Sequence, residues 1–309
     1  MRLGWWDLVK RKLRKPAAYH SLGIEFGQRN LNLSLLGKQK GLPLWLKQHR
    51  IGIDNWVKDL TAWIKDEGVA STPCHVVFST NRYQLLQVEK PAVPAEELTQ
   101  ALRWSVKDLL ASADDMVVEY FDLPAQPTGS NKINLVAAPK SLIESVVTGM
   151  IQAGVELKSI GIEELSQCDL LDAQPAAQIT LVQEPGEEIC LSIIKDGNIY
   201  FTRRLKGYEQ LSSYGLEQIH QGVADSLSIE IQRSMDYFDS QLRQAPVKRL
   251  LICIDTPFLE ELSQVLEQNT LVKTEMFTPQ IATSQGLRFS SETVTSLGAA
   301  MRQVREANA

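Results

Sequence analysis

The sequence is short of the residues that usually announce chemistry. It holds four cysteines, Cys74, Cys168, Cys190 and Cys253, each in or beside an apolar run and none in a CxxC pair. That pattern fits neither a disulfide framework nor a zinc site, and predicts buried free thiols in a reducing compartment. The four histidines are equally scattered, so neither a metal cluster nor a Ser–His–Asp arrangement finds support. No apolar run approaches the ~18 residues of a membrane span, and no signal-peptide pattern opens the chain, so a cytoplasmic protein is expected. Positive charge is not in excess either: 32 Lys and Arg stand against 37 Asp and Glu, a net charge of -5, which argues against a nucleic-acid-binding protein.

What remains is an ordinary globular composition, 44% hydrophobic and 22% charged over 309 residues, enough for about two domains with a sizeable core. The stretch at residues 21–36, SLGIEFGQRNLNLSLL, organises the reading. An apolar run turns at Gly27 to Asn30, and Leu31, Leu33 and Leu35 then alternate with Asn32 and Ser34. Period-two alternation marks a half-buried strand, so a β-hairpin is expected with Glu25, Gly27, Gln28, Arg29 and Asn30 at its tip. Backbone N–H groups at such a glycine turn can face an anion, and a nearby acid can help to hold Mg²⁺. On the residues alone, an ordinary hairpin and a phosphate-cradling loop both stay open.

The first sixteen residues, MRLGWWDLVKRKLRKP, differ from everything after them. Six of the first fifteen are Lys or Arg, against the single acid Asp7. At ~100° per residue Leu3, Trp5, Trp6, Val9 and Leu13 share one arc, while Arg11, Arg14 and Lys15 lie outside it, Lys10 and Lys12 at its edges and Arg2 within it, an imperfect amphipathicity. A basic helix with tryptophans on its apolar face can lie on an anionic membrane surface through Trp5, Trp6, Lys10, Arg11, Lys12, Arg14 and Lys15. A core-packed or unstructured extension is the other reading.

Beyond the hairpin, Lys38, Lys40, Gly41 and Pro43 read as a linker. Residues 54–67 read as a helix stopped by Gly68, with Trp56 and Trp63 as core aromatics beside Trp45. Strands follow at 75–78 and 83–88, and a helix at 95–110 is entered through Pro94 and sided by Leu98, Leu102, Val106, Leu109 and Leu110. Then come strands at 117–123 and 133–138, a helix at 141–153, a strand at 157–162 and a helix at 163–171. A second unit starts after Ala173 and repeats the device of the first, with strands at 178–182, 189–194 and 199–203 around the turns 184–188 and Asp196–Gly197. A long helix is expected at 216–242, a buried strand at 248–254, a helix at 258–267, a strand at 271–277 and a last helix at 293–305. Glu187 and Glu188 read as a solvated turn, and Arg203, Arg204 and Lys206 as a solvated strand end.

Several strings now resemble one family. LGIEFGQRNLNLSLL, AEELTQALRWSVKDLL with VVEYFDLP, INLVAAPKSLIESVVTGMIQAGVELKSIGIEELS, LSIIKDGNIYFTRRLKG, IEIQRSMDYFDSQ and SLGAAMR are similar, in that order, to segments of the PilM family of type IV pilus assembly proteins. The basic start with paired tryptophans and the weak motifs look most like its branch serving the mannose-sensitive haemagglutinin pilus, the MshI type. The resemblance implies an α/β, actin-like (ribonuclease-H-type) two-domain fold with an inserted α/β subdomain. Its boundaries would be an N-terminal extension at 1–16, domain I at 17–174 with the insert at about 75–170, domain II at 175–292, and a C-terminal helix at 293–309 returning to domain I. It implies a cytoplasmic scaffold peripheral to the inner membrane, binding the N-terminal cytoplasmic tail of a PilN-like bitopic protein in a groove between domain I and the insert, near residues 75–140. A pilus extension ATPase is a further implied partner.

The departures from that family bear on cofactors. ATP-binding members carry Asp–x–Gly in the second meander, where this chain has Gln183, Glu184, Pro185, Gly186, Glu187 and Glu188. The metal-organising acid is missing, Pro185 removes a backbone donor, and like charges at ~4 Å cost on the order of 1–4 kcal/mol per pair against a triphosphate. Ile254 and Asp255 replace the Gly–Gly of the adenosine loop, and Glu25, Gln28 and Arg29 leave the first loop vestigial. The expectation is a degenerate ATPase, with no cofactor, no catalytic residue and no metal ligand. The alternative is a nucleotide-binding ATPase that regulates pilus assembly, with Glu25 holding Mg²⁺ of ATP through water and Arg29 facing phosphate. A sugar or acetate kinase of the same fold would need both phosphate loops and a substrate base, and neither is intact.

Overall fold

The computed structural model describes residues 18–110 and 115–308. The membrane-surface expectation for residues 1–16 lies outside the described residues. Among the described residues no helix is long and apolar enough to cross a membrane.

Two mixed sheets repeat one topology. In the first, β1 (Ser21–Phe26), β2 (Asn30–Gln39) and β3 (Leu42–Gly52) form an antiparallel meander. β4 (Pro73–Phe78) runs parallel to β1, and β8 (Glu156–Ile162) parallel to β4. The short β14 (Ala282–Thr283) closes the other side, giving the order β14-β3-β2-β1-β4-β8. In the second sheet β9 (Gln178–Val182), β10 (Ile189–Lys195) and β11 (Asn198–Leu205) form the meander, and β12 (Arg249–Cys253) and β13 (Lys273–Met276) run parallel to it, in the order β11-β10-β9-β12-β13. Between β4 and β8 the chain inserts a third sheet, β5 (Gln84–Glu89), β6 (Met116–Asp122) and β7 (Lys132–Pro139), ordered β5-β7-β6. The insertion is therefore narrower than 75–170, because β4 and β8 complete the first sheet.

Residues 38–43 are not a linker. Lys40 (φ 52) and Gly41 (φ 85) make the two-residue left-handed turn that suits a hairpin, and the chain returns as β3 with Pro43 opposite Lys38. The hairpin at 21–36 also differs from the half-buried strand its alternation predicts. Every residue of β1 and Leu31 to Gly37 of β2 are buried. One face carries Leu22, Ile24, Leu31, Leu33 and Leu35 into a core with α1 (Trp56–Glu67) and α3 (Lys140–Ala153). The polar face is covered by the last helix, α7 (Ser291–Asn308), which supplies matching small and polar groups. Ser34 Oγ lies 2.9 Å from Ser296 Oγ, and Ser21 Oγ donates to the Ala300 carbonyl at 2.7 Å.

Glycine sets how closely α7 can approach. A Cβ at Gly23 would stand 2.0 Å from the Ser296 carbonyl oxygen, and one at Gly298 would stand 2.2 Å from that of Ser166 in α4 (Glu163–Leu170). The helix wedges between the two sheets: Val294, Leu297 and Ala300 meet Leu36 and Trp45 of the first, and Val182, Leu251 and Cys253 of the second. Burial of Val294 and Leu297 contributes roughly 1.5–3 kcal/mol each.

The insert buries its outer face under α2 (Ala95–Ser105), through Leu98, Leu102, Ile133 and Leu135. Leu109 is not on that core side but 61% exposed. The long helix expected at 216–242 is broken. A single turn (Leu216–Gln218) and a π turn (Ile219–Val223), with Gly222 at φ 151, precede α5 (Ala224–Asp236), and a second π turn (Tyr237–Gln241) follows it. α6 (Leu259–Thr270) packs on α5. All four cysteines are buried and free.

Gly23→Ala should lower stability by at least about 2 kcal/mol, because the clash is with helix backbone that cannot rotate away. Gly52→Ala, where an added methyl meets nothing within 4 Å, is the control and should change the urea midpoint little.

Candidate functional site

The two meander turns face one another across a cavity of about 210 Å³. Gly27, Gln28, Arg29 and Asn30 line one side, Glu184, Pro185, Gly186 and Glu187 the other, with Asn32, Arg50 and Glu292 between. The first turn is closed by the Gly27 N–H donating to the Asn30 carbonyl at 3.0 Å. Beneath it Arg82 donates to the Gly27 carbonyl at 2.7 and 3.2 Å, tying the turn to the segment after β4. Of the vestigial loop residues, four line this cavity and Glu25 sits buried behind them. Arg50 pairs with Glu292 at 3.3 Å. Gln183 does not reach the cavity: its Nε2 donates to the carbonyls of Glu187 and Tyr208 at 2.9 and 2.7 Å, bracing the second turn from within. Ile254 is buried in the core of the second unit, and neither it nor Asp255 lines the cavity.

Glu25 and Glu184 meet at the back of this cleft. Asn32 Nδ2 donates to Glu25 Oε2 at 3.1 Å, while Glu25 Oε1 and Glu184 Oε1 find no N–H or hydroxyl donor. Burial pushes both carboxyls up from the ordinary range, and the charge of Glu25 raises Glu184 further. Glu184 therefore keeps its proton and donates it to Glu25, which relieves both deficits.

A second buried cluster joins all three sheets. Arg204 of β11 pairs with Glu164 Oε1 at 2.7 Å and with Glu163, the first two residues of α4. Glu163 Oε2 also accepts the Thr80 N–H at 2.9 Å, and the Tyr83 hydroxyl donates to Glu164 Oε2. Thr80 and Tyr83 lead into the insert, so the cluster ties first unit, insert and second unit. Burial raises Glu163 to about 7, against the opposing pull of Arg204. Arg204 is thus not a solvated strand end. Arg203 is tied too, pairing with Glu230 at 2.7 Å. Glu163 and Glu164 look in the sequence like ordinary acids in a helix's first turn. Only the arrival of β11 gives them a partner.

A groove lies between the first unit and the insert, but its lining is not confined to the expected 75–140: Ile143, Ile160, Gly161, Ile162 and Leu165 also contribute. β8 is the last strand of its sheet and β6 the last of the insert. A cavity of about 320 Å³ lies between them, touched by Ile160, Gly161 and Ile162 of β8 and by Glu119, Tyr120 and Phe121 of β6. Val136 and Ala138 of the central β7 line it too, so the cavity runs along β6 and β8 and over one face of the insert. Phe78, Val117, Val136 and Ile143 make its walls apolar.

Glu163 binds its proton more tightly folded than unfolded, as do Glu25 and Glu184, so each contributes stability that is full below about pH 4.5 and is lost as pH rises, for Glu163 through about 7. Thermal unfolding should show a higher midpoint at pH 5.5 than at pH 8, worth a few kcal/mol. Glu184→Gln, a permanent donor to Glu25, should shrink that difference; an unchanged profile would remove the pair as its source.

No family sequence model and no curated protein sequence matches the chain. Among solved structures it is similar to the PilM–PilN type IV pilus biogenesis complex, with a TM-score of 0.63, 18% identity, and 94% of this chain and 99% of that chain covered. It is also similar to the cytoplasmic domain of EpsL, an inner-membrane component of the type II secretion system of Vibrio cholerae, with a TM-score of 0.51, 10% identity, and coverage of 93% and 94%. A Bacteroides thetaiotaomicron protein with an actin-like ATPase fold gives a TM-score of 0.47 at 12% identity, with coverage of 94% and 98%. At these identities the likeness is one of fold, and the fold of this chain is the actin-like α/β fold.

Proposed function

We propose that this protein is a nucleotide-independent scaffold of a type IV pilus assembly platform, cytoplasmic and peripheral to the inner membrane. Its partner is the N-terminal cytoplasmic tail of a PilN-like membrane protein. The observation that carries this reading is the apolar groove between the free edges of β8 and β6. An extended tail gains backbone hydrogen bonds there and places alternate side chains in the pocket, the strand-addition mode of recognition. The likeness to a PilM–PilN complex supports the choice of partner. The finer assignment is to an MSHA-type pilus, as an MshI-type protein, with the extension ATPase as a further contact.

The cleft between the two turns does not suit ATP with Mg²⁺. Its volume of about 210 Å³ is below the ~300–1,000 Å³ of small-molecule sites. Glu184 and Glu187 present acid where phosphate would lie, Pro185 offers no N–H, and the one acid behind the first loop, Glu25, is engaged with Asn32 and Glu184.

Titration calorimetry with the cytoplasmic peptide of the PilN-like protein from the same organism should give saturable binding, weakened at least tenfold by Val117→Glu, while ATP with Mg²⁺ gives no binding heat. Absence of peptide binding overturns the partner. Tight, Mg²⁺-dependent ATP binding abolished by Glu25→Ala overturns the nucleotide-independent reading and restores the ATPase alternative.

For residues 1–15 the proposal is an interfacial anchor in which Trp5, Trp6, Lys10, Arg11, Lys12, Arg14 and Lys15 meet anionic lipid, each basic residue contributing ~1 kcal/mol. Deleting residues 1–15 should weaken sedimentation with phosphatidylglycerol liposomes and reduce its salt sensitivity. Equal binding by the truncated chain sinks the anchor.

A further inference from the structure

The inserted sheet has a second free edge. β5 stands last in its sheet on the side away from β6, and faces β11, the last strand of the second sheet. A separate cavity of about 360 Å³ lies between them. It is touched by Leu85, Leu86 and Gln87 without a break, and by every residue from Tyr200 to Arg204. Lys132 and Asn134 of the central β7 line it as well, so the cavity borders the β5 and β11 strands and extends over one face of the insert. Among the described residues, the outward backbone groups of these two runs have no hydrogen-bond partner beyond β7 and β10. Free edges are normally covered or blunted by charge, because they invite another strand. Here they face each other across open space.

The walls say what kind of strand would fit. Phe201 and Tyr237, with ring centroids 5.0 Å apart, give an aromatic shelf on the β11 side, and Leu85 an apolar patch on the β5 side. Three cations line the cavity, and two of them are spent within the fold: Arg203 on Glu230, Arg204 on Glu163 and Glu164. The third, Lys132, has no acid partner among the described residues. The lining acid Glu164 is the one already held by Arg204.

We propose that this groove receives an extended, acid-bearing segment of a second protein partner, added as a strand to β5 with its carboxylate at Lys132 and its apolar side chains on Phe201 and Tyr237. The site is distinct from the β8–β6 groove and does not depend on what occupies that one. Main-chain pairing would supply affinity, while Lys132 and the aromatic shelf would supply selectivity.

The test is to pan a phage-displayed library of seven-residue peptides on the full chain, then to synthesise the enriched peptides and measure them by fluorescence anisotropy. Enriched peptides should carry Asp or Glu within an alternating apolar pattern. Lys132→Glu, a substitution at a half-buried surface position, should weaken them at least tenfold, and exchanging the peptide's acid for Lys should restore binding to that variant. Binding should slow amide hydrogen exchange in β5, and Val117→Glu in the other groove should leave it unchanged. The proposal falls if no peptide is enriched, if binding ignores Lys132→Glu, or if it follows Val117→Glu instead.

Discussion

The arrangement of the three sheets depends on one guanidinium. Arg204 enters from β11 and meets Glu163 and Glu164 at the start of α4, and those acids in turn hold the Thr80 N–H and the Tyr83 hydroxyl of the segment entering the insert. Burying an ion pair costs several kcal/mol per ion, recovered only when the remaining lone pairs and protons are satisfied. This cluster meets that condition on every side. Burial raises Glu163 to about 7 against the pull of Arg204, and the neighbouring Glu164 adds to the rise. Removing Arg204 alone would leave two buried carboxyls without a counter-charge, the situation in which a buried pair costs about 3–5 kcal/mol to break.

The same hub sets the two grooves. Tyr83 lines the β8–β6 groove, while Glu164, which accepts its hydroxyl, lines the β5–β11 groove together with Arg204. One short chain of hydrogen bonds therefore separates the two cavities and fixes the insert relative to both neighbouring sheets. The insert behaves as a strut with a free edge on each side. Among the described residues, the backbone at those edges is left without a strand partner.

Much of the fold was legible because it rests on local signals. The Gly27 to Asn30 turn, the Asp196–Gly197 turn and the two strand meanders follow from turn chemistry and period-two patterning. The errors share a different origin. Ser34 looks solvent-facing until α7, 262 residues further along the chain, brings Ser296 against it. Pro43 argues against a strand, yet the Lys40–Gly41 turn places it in β3. Gly222 lets the 216–242 stretch break into π turns, which helical spacing alone does not reveal. At the site the first turn was legible as a turn: Gly27 to Asn30 line one cavity, and Glu25 lies buried behind them. Arg204 was not, because a buried arginine and a solvated one look identical until the partner strands are placed.

The two turns illustrate how a ligand cleft can be closed without changing the fold around it. Arg82 donates to the Gly27 carbonyl, the Gln183 amide is turned inward onto Glu187 and Tyr208, and Glu184, keeping its proton, donates a hydrogen bond to Glu25. Meanwhile α7 locks the sheets at a distance that only Gly23 and Gly298 permit. The cleft between the turns is small and lined on one side by Glu184 and Glu187. The edges of β8, β6, β5 and β11 pair with no further strand among the described residues, which is what an extended chain requires.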